Sequence, residues 1–132
     1  MQPKESRYPK DWLATGEKDF KRTELLFSAD DYEGAGFHLQ QAIEKYLKGY
    51  LLSKGWKLKR IHDLEALLNA VLEYDGTFEN FRSLCVKATN YYIEERYPLL
   101  VLSKINRQDL DGLLKQGREL IKLIKERTSL GD

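Results

Sequence analysis

Four side chains suited to phosphate binding lie in two short segments of the sequence. Lys45 and Lys48 belong to QQAIEKYLK, and Arg96 and Tyr97 lie much later in EERYP. Lysine and arginine donate charge-assisted hydrogen bonds to phosphate oxygens, and a guanidinium binds with two parallel donors while staying charged at neutral pH. If the two segments are neighbours in the fold, these side chains line a groove that favours phosphate.

Each of these residues also has a purely structural interpretation. A salt bridge from Arg96 to Glu44 or Glu95 explains the arginine equally well and is compatible with phosphate binding. Tyr97 either stacks on a base or packs beneath the turn that Pro98 enforces. Two glutamates without a known position are no evidence of acid–base catalysis.

Polar residues recur at helical spacing along the first of these segments. His38, Gln41, Lys45 and Lys48 are separated by three, four and three positions, which places them on one helix face. Gln41 adds an amide donor to the ammonium groups. A charged stripe of this kind is also typical of a solvated helix surface, so the pattern alone does not separate a binding face from an ordinary one.

The remaining reactive side chains favour structural roles. His62 stands at a helix start, where its ring is expected to hydrogen-bond locally, although a binding or catalytic role stays open. His38 is similar. Cys85 falls on an apolar face without a neighbouring base, which is typical of a buried thiol. Two distant histidines without ligands at metal spacing predict neither a zinc site nor any other cofactor.

A basic segment surrounds Trp56. The stretch 54–60, KGWKLKR, combines four cations with one aromatic ring, a pattern that suits contact with an RNA backbone. The alternative is a basic surface hairpin with Trp56 packed against the rest of the fold. The sequence favours this second interpretation.

Composition bounds the class of protein. A chain of 132 residues fits one domain, predicted over 1–132 with its core at about 11–127, and 42% hydrophobic with 33% charged residues is a globular balance. A net charge of +1 gives no overall attraction to nucleic acid or membranes. One cysteine, no apolar leader and no apolar run near membrane length predict a cytoplasmic protein without membrane contact.

Hydrophobic periodicity near 3.6 residues predicts helices throughout. We expect them at about 11–28, 32–54, from 62 or 63 onwards, 78–95, and after Asn106, with Asp31 and Asn106 as N-caps and Gly55 as a C-terminal glycine. Gly16 lies on the apolar side of the first predicted helix and indicates a close approach of two helices. Amphipathic helices joined by short turns predict an all-α, antiparallel up-and-down bundle of four to five helices.

The chain resembles the HEPN superfamily over about residues 11–125. Three motifs in order carry the resemblance, namely QQAxEKxLK at 40–48, IHDLxxLL at 61–68 and RYP at 96–98. The superfamily comprises small helical domains found with minimal nucleotidyltransferases and in toxin–antitoxin systems. The resemblance implies a four- or five-helix bundle, usually a homodimer, with a cleft that binds nucleotide or RNA.

The sequence departs from the ribonuclease members of that superfamily. Those members carry an arginine followed four to six residues later by a histidine, whereas both histidines here, His38 and His62, precede Arg96. We therefore expect a non-catalytic module that binds nucleotide or RNA phosphate, with a separate minimal nucleotidyltransferase as its candidate partner in a toxin–antitoxin-like pair. Its expected ligand-binding residues are Arg96, Tyr97, Lys45, Lys48, Gln41 and His62. The alternatives are a metal-independent ribonuclease that uses Arg96 with a histidine, and a purely structural partner protein.

Overall fold

The computed structural model describes residues 6–91 and 106–128, where all regular structure is helical. It confirms the predicted all-α helical bundle. No helix in these two ranges is both long and apolar enough to cross a membrane. The elements are helix α1 (Pro9–Ser28), helix α2 (Tyr32–Ser53), helix α3 (Leu64–Leu72), a 3₁₀ helix (Gly76–Phe81), helix α4 (Arg82–Thr89) and helix α5 (Arg107–Thr128).

Helix α2 is the central element of the bundle. It packs against α1, α3, α4 and α5, and from Leu39 to Leu51 only Gln41 and Lys45 keep partial exposure. The apolar residues that helical spacing predicts for the buried stripe of α2 are all buried, namely Ala35, Leu39, Ala42, Ile43, Tyr46 and Tyr50. The same helix also buries Gln40, Glu44 and Lys48, which a single amphipathic stripe does not predict. A helix surrounded by neighbours has no broad solvent face, so its polar residues must find partners inside the protein.

Helix α1 lies antiparallel to α2 at close range. A Cβ atom built on Gly16 would lie 2.9 Å from Cδ2 of Tyr46, and one built on Gly49 would lie 2.7 Å from Cδ2 of Leu13. A side chain at either position would crowd the neighbouring helix, so both positions favour glycine. The predicted role of Gly16 as a point of close helix approach is confirmed.

The predicted helix caps are also confirmed. Asp31 accepts a hydrogen bond from the Gly34 amide at 2.9 Å, and Asn106 accepts one from the Gln108 amide at 2.7 Å. Gly55 has a φ of +90°, in the left-handed region that favours glycine. Each cap satisfies backbone groups that a helix end leaves without partners.

The fourth predicted helix differs from the observed one. A continuous helix over 78–95 was expected, but the segment begins as a 3₁₀ helix and the α-helix ends at Thr89, while 92–95 lie outside the described residues. Phe78 and Phe81 are both buried and three residues apart, a spacing that places them on one face of a 3₁₀ helix. At the other end, the amides of Asn90 and Tyr91 donate to carbonyls three residues back, those of Lys87 at 3.2 Å and Ala88 at 3.0 Å, which is a turn rather than α-helix.

Helix α5 lies antiparallel to α1 and is tied to it by exposed ion pairs. Arg118 contacts Glu24 at 3.2 Å and Lys125 contacts Glu17 at 3.0 Å. The apolar residues that helical spacing predicts for the buried stripe of α5 are all buried, namely Leu110, Leu113, Leu114, Leu120, Ile121 and Ile124. The apolar stripe, rather than the exposed pairs, is expected to supply most of the stabilisation, since exposed pairs contribute less than about 1 kcal/mol each.

We predict that Gly16→Ala destabilises the protein by about 1 kcal/mol or more. The added methyl group overpacks the α1–α2 interface against Tyr46, and this outweighs the gain in helix propensity. Urea denaturation followed by circular dichroism measures the change.

Gly112→Ala is the matched control on α5. A Cβ at this position meets no atom within 4 Å, so the same substitution should stabilise the protein by up to about 1 kcal/mol. If both variants changed the free energy of unfolding equally and in the same direction, the close approach at Gly16 would be contradicted.

Candidate functional site

The α1–α2 interface contains a buried carboxylate surrounded by basic side chains. Asp19 has a side chain only 3% exposed and contacts Arg22 at 3.3 Å, His38 at 3.1 Å and also Lys45. By formal charge, the arginine and the lysine bring two positive groups to one negative group. The Asp19 cluster, as we call Asp19 with Arg22, His38 and Lys45, therefore carries a local positive excess.

A second buried carboxylate, that of Glu44, belongs to α2. One oxygen of Glu44 accepts from Lys48 Nζ at 3.0 Å and contacts His62 Nδ1 at 3.0 Å. Its other oxygen accepts from the Gln40 amide at 3.4 Å. Because a carboxylate only accepts hydrogen bonds, the Nδ1 atom of His62 must carry the proton in this contact. We call these four residues the Glu44 cluster.

Lys48 is enclosed by protein on all sides. Its side chain is 3% exposed, and the ammonium lies 5.3 Å from the ring centroid of Trp12 in addition to its ion pair with Glu44. Trp12 is held in turn by a hydrogen bond from its indole nitrogen to the Ser6 carbonyl at 2.9 Å. A ligand in solvent can therefore reach Lys48 only if this local packing opens.

The structure separates the predicted site residues by accessibility. Lys45 keeps 20% of its side-chain surface and His62 keeps 46%, so both reach the surface. Gln41 is partly exposed and donates to the Gln40 side chain at 2.6 Å. Arg96 and Tyr97 lie outside the described residues, and so does the expected contact between their segment and α2.

Sequence reasoning missed Asp19 and underestimated Glu44. Asp19 is three residues after Gly16 and four before Thr23, so it falls on the buried stripe of α1 and that spacing was an available signal. Glu44 and Lys48 are four residues apart on one helix, the spacing of an intrahelical ion pair. The distant partners, such as His38 for Asp19, depend on how α1 and α2 pack.

Cys85 shows no feature of a nucleophile. It is fully buried, and this burial raises the pKa of its thiol to about 12. The thiol therefore stays protonated at neutral pH, as predicted for a structural cysteine. Among residues 6–91 and 106–128, no three His, Cys, Asp or Glu side chains are grouped to hold a metal ion.

A family model described as HEPN domain matches residues 9–127, which is nearly all of the chain. The chain belongs to the HEPN domain family. The match extends from α1 to the end of α5, so the HEPN domain includes both clusters. No curated protein sequence and no solved structure shows a significant match to this HEPN chain.

We predict that Glu44→Gln destabilises this HEPN domain by about 3–5 kcal/mol at neutral pH. The substitution keeps the size of the side chain but leaves the Lys48 ammonium buried without a counter-charge. Urea denaturation at constant pH measures the loss.

Two further variants make the result specific. Glu65→Gln removes a more exposed pair with Arg82 and should cost less than about 1 kcal/mol. The double variant Glu44→Gln/Lys48→Met should recover much of the lost stability because no charge remains buried. A Glu44→Gln effect as small as that of Glu65→Gln would show that the buried pair contributes little.

Proposed function

We propose that this HEPN protein binds the phosphate group of a nucleotide or of RNA without catalysing a reaction. The observation that supports the proposal best is the positive excess of the Asp19 cluster, where Arg22, His38 and Lys45 share one carboxylate. A phosphate entering beside Lys45 would balance that excess. The membership of the chain in the HEPN family supports the same class of ligand.

The proposed residues would have different roles. Arg96 supplies the bidentate phosphate contact and Tyr97 stacks on the base or donates its hydroxyl group, with Lys45 as the partly exposed ammonium from α2. Lys48 and Gln41 act mainly by holding the neighbouring side chains of α2 in place, because Lys48 is buried and Gln41 contacts Gln40.

His62 would lie at the margin of the proposed site. It contacts Glu44 at 3.0 Å while nearly half of its side chain is exposed. Such a contact fixes the ring and its tautomer. The same contact favours the second candidate function, a metal-independent ribonuclease in which Arg96 stabilises the transition state and His62 transfers a proton.

We further propose that the protein acts as a homodimer in the cytoplasm, together with a separate minimal nucleotidyltransferase in a toxin–antitoxin-like pair. Family resemblance motivates this part of the proposal. Apolar side chains exposed on the described surface, among them Leu25 on α1 and Val86 on α4, are compatible with a contact surface for a second chain.

We predict saturable binding of ATP or a short RNA that is weakened at least tenfold by Arg96→Ala and severalfold by Lys45→Gln. Each substitution removes one positive group from the proposed phosphate site. Calorimetric titration measures both dissociation constants.

Lys115→Gln is the control, since Lys115 is exposed on α5 and pairs with Asp111 on the same helix. Its binding should equal that of the wild type. Absence of saturable binding to the wild-type protein would refute the proposal. Cleavage of the RNA that disappears in both Arg96→Ala and His62→Ala would instead establish the ribonuclease.

We predict that light scattering coupled to size-exclusion chromatography gives twice the chain mass of 15.5 kDa. Replacement of Leu25 or Val86 by aspartate should dissociate the dimer if the affected side chain lies in the contact. A monomer at all concentrations tested would rule out the homodimer.

A further inference from the structure

A pocket of about 640 Å³ lies beside the C-terminal end of α2. None of the residues of the Asp19 and Glu44 clusters lines it. We call it the Trp56 pocket. Its lining residues are Arg7, Leu52, Gly55, Trp56, Lys57 and Leu58.

Positive charge is concentrated around this pocket. The segment 54–60 contains Lys54, Lys57, Lys59 and Arg60 and no acidic residue, and all four side chains are exposed. The net charge of the whole chain is only +1, so the rest of the chain is net acidic. Arg7 adds a fifth cation from the segment before α1. Among the described residues, five exposed cations thus lie around one end of α2.

Among the described residues these cations are not held in close ion pairs, although the charge of Lys54 acts on the nearby Asp75 carboxylate. Within residues 6–91 and 106–128, Arg7 and the four cations of 54–60 form no ion pair at 4.0 Å or less. In contrast, Arg82, Arg107 and Arg118 each contact a carboxylate. An anionic ligand would therefore gain attraction here without displacing a carboxylate.

Trp56 gives the pocket an aromatic wall. The indole packs against the hydrophobic core and keeps part of its surface exposed. The Lys59 ammonium lies over the ring, 6.0 Å from its centroid. A partly exposed indole next to several cations is the combination that binds a base and its phosphates together.

The backbone around the pocket is held in place before any ligand arrives. The amides of Trp56 and Gly55 donate to the carbonyls of Leu51 and Leu52, both at 3.1 Å, which is the Schellman pattern of a helix end. On the opposite side, the buried Ser6 hydroxyl accepts from the Tyr8 amide at 3.0 Å and fixes the backbone that carries Arg7. Such preorganisation lowers the entropy that binding must overcome.

We propose that the Trp56 pocket binds a single-stranded nucleic acid, with a base stacked on Trp56 and successive phosphates on the surrounding cations. Lys54, Lys59 and Arg60 extend beyond the pocket lining, so the charge spans more than one phosphate and suits a polymer better than a mononucleotide. A single strand is required because a paired base cannot reach the indole face. The inference rests on the proposed function only for the class of ligand, since it uses different residues.

The test is fluorescence anisotropy of the full chain with a labelled single-stranded oligouridylate of about 10 nucleotides, at several salt concentrations. Arg7→Glu/Lys57→Glu should weaken binding at least tenfold. It should also reduce the slope of log K against log salt concentration by the amount that about two phosphate contacts contribute. Trp56→Leu should weaken binding roughly tenfold, whereas Trp56→Phe, which keeps a ring, should retain most of it. Circular dichroism checks that each variant folds.

The charge-matched control is Lys87→Glu/Lys115→Glu, two exposed residues on α4 and α5, which should bind with nearly the wild-type affinity. An oligodeoxyuridylate of the same length tests whether the pocket distinguishes DNA from RNA. Equal binding of DNA shows recognition of base and phosphate alone, and tighter binding of RNA shows an added 2′-hydroxyl contact.

Three results would overturn the inference. These are failure of the wild type to bind either oligonucleotide, wild-type affinity in Arg7→Glu/Lys57→Glu, or pocket-dependent binding to phosphatidylglycerol vesicles without binding to RNA. Failure of the Arg96-dependent nucleotide site is a separate outcome. Pocket-dependent RNA binding that is unaffected by Arg96→Ala would leave this inference standing while the proposed nucleotide site failed.

Discussion

The contact between α1 and α2 imposes the constraint on which the rest of the structure depends. The two helices approach closely enough to exclude a side chain at Gly16, and the Asp19 carboxylate is buried in their contact beside His38 and Lys45 of α2. A buried charge without a partner costs several kcal/mol, so this carboxylate must bind cations within the interface. Lys45 meets this requirement for Asp19, and Lys48 meets the same requirement for the buried Glu44 on α2. The electrostatics of the α2 surface are therefore a consequence of helix packing.

The same constraint divides the cations of the protein into two populations. Lys48 is buried in its ion pair with Glu44, whereas Lys45 pairs with Asp19 and keeps part of its side chain exposed to solvent. The cations of 54–60 belong to a segment without acidic residues and have no such partner among the described residues. Attraction of phosphate depends on charge that is not already balanced, so the second population is the stronger source of a positive surface. Both the proposed nucleotide site and the Trp56 pocket follow from this distinction.

The sequence predicted most of the fold, because each helix carries its own local signals. Apolar spacing identified the buried stripes, and Asp31, Gly55 and Asn106 marked helix ends through backbone hydrogen bonds that depend on nearby residues alone. The end of α4 at Thr89 was missed, since the periodicity of 78–95 continues past the observed helix. The burial of Lys48 was missed for a different reason. Whether a polar face is solvated depends on how many neighbours surround its helix, and no local pattern contains that number.

The Glu44 cluster also has a consequence for how this sequence can change over evolutionary time. Its members lie in contact, so the effect of replacing one depends on the identity of the others. A lineage that exchanges the lysine at 48 for an apolar residue retains a buried acid unless position 44 changes too. Substitutions at these two positions should therefore be correlated among related sequences.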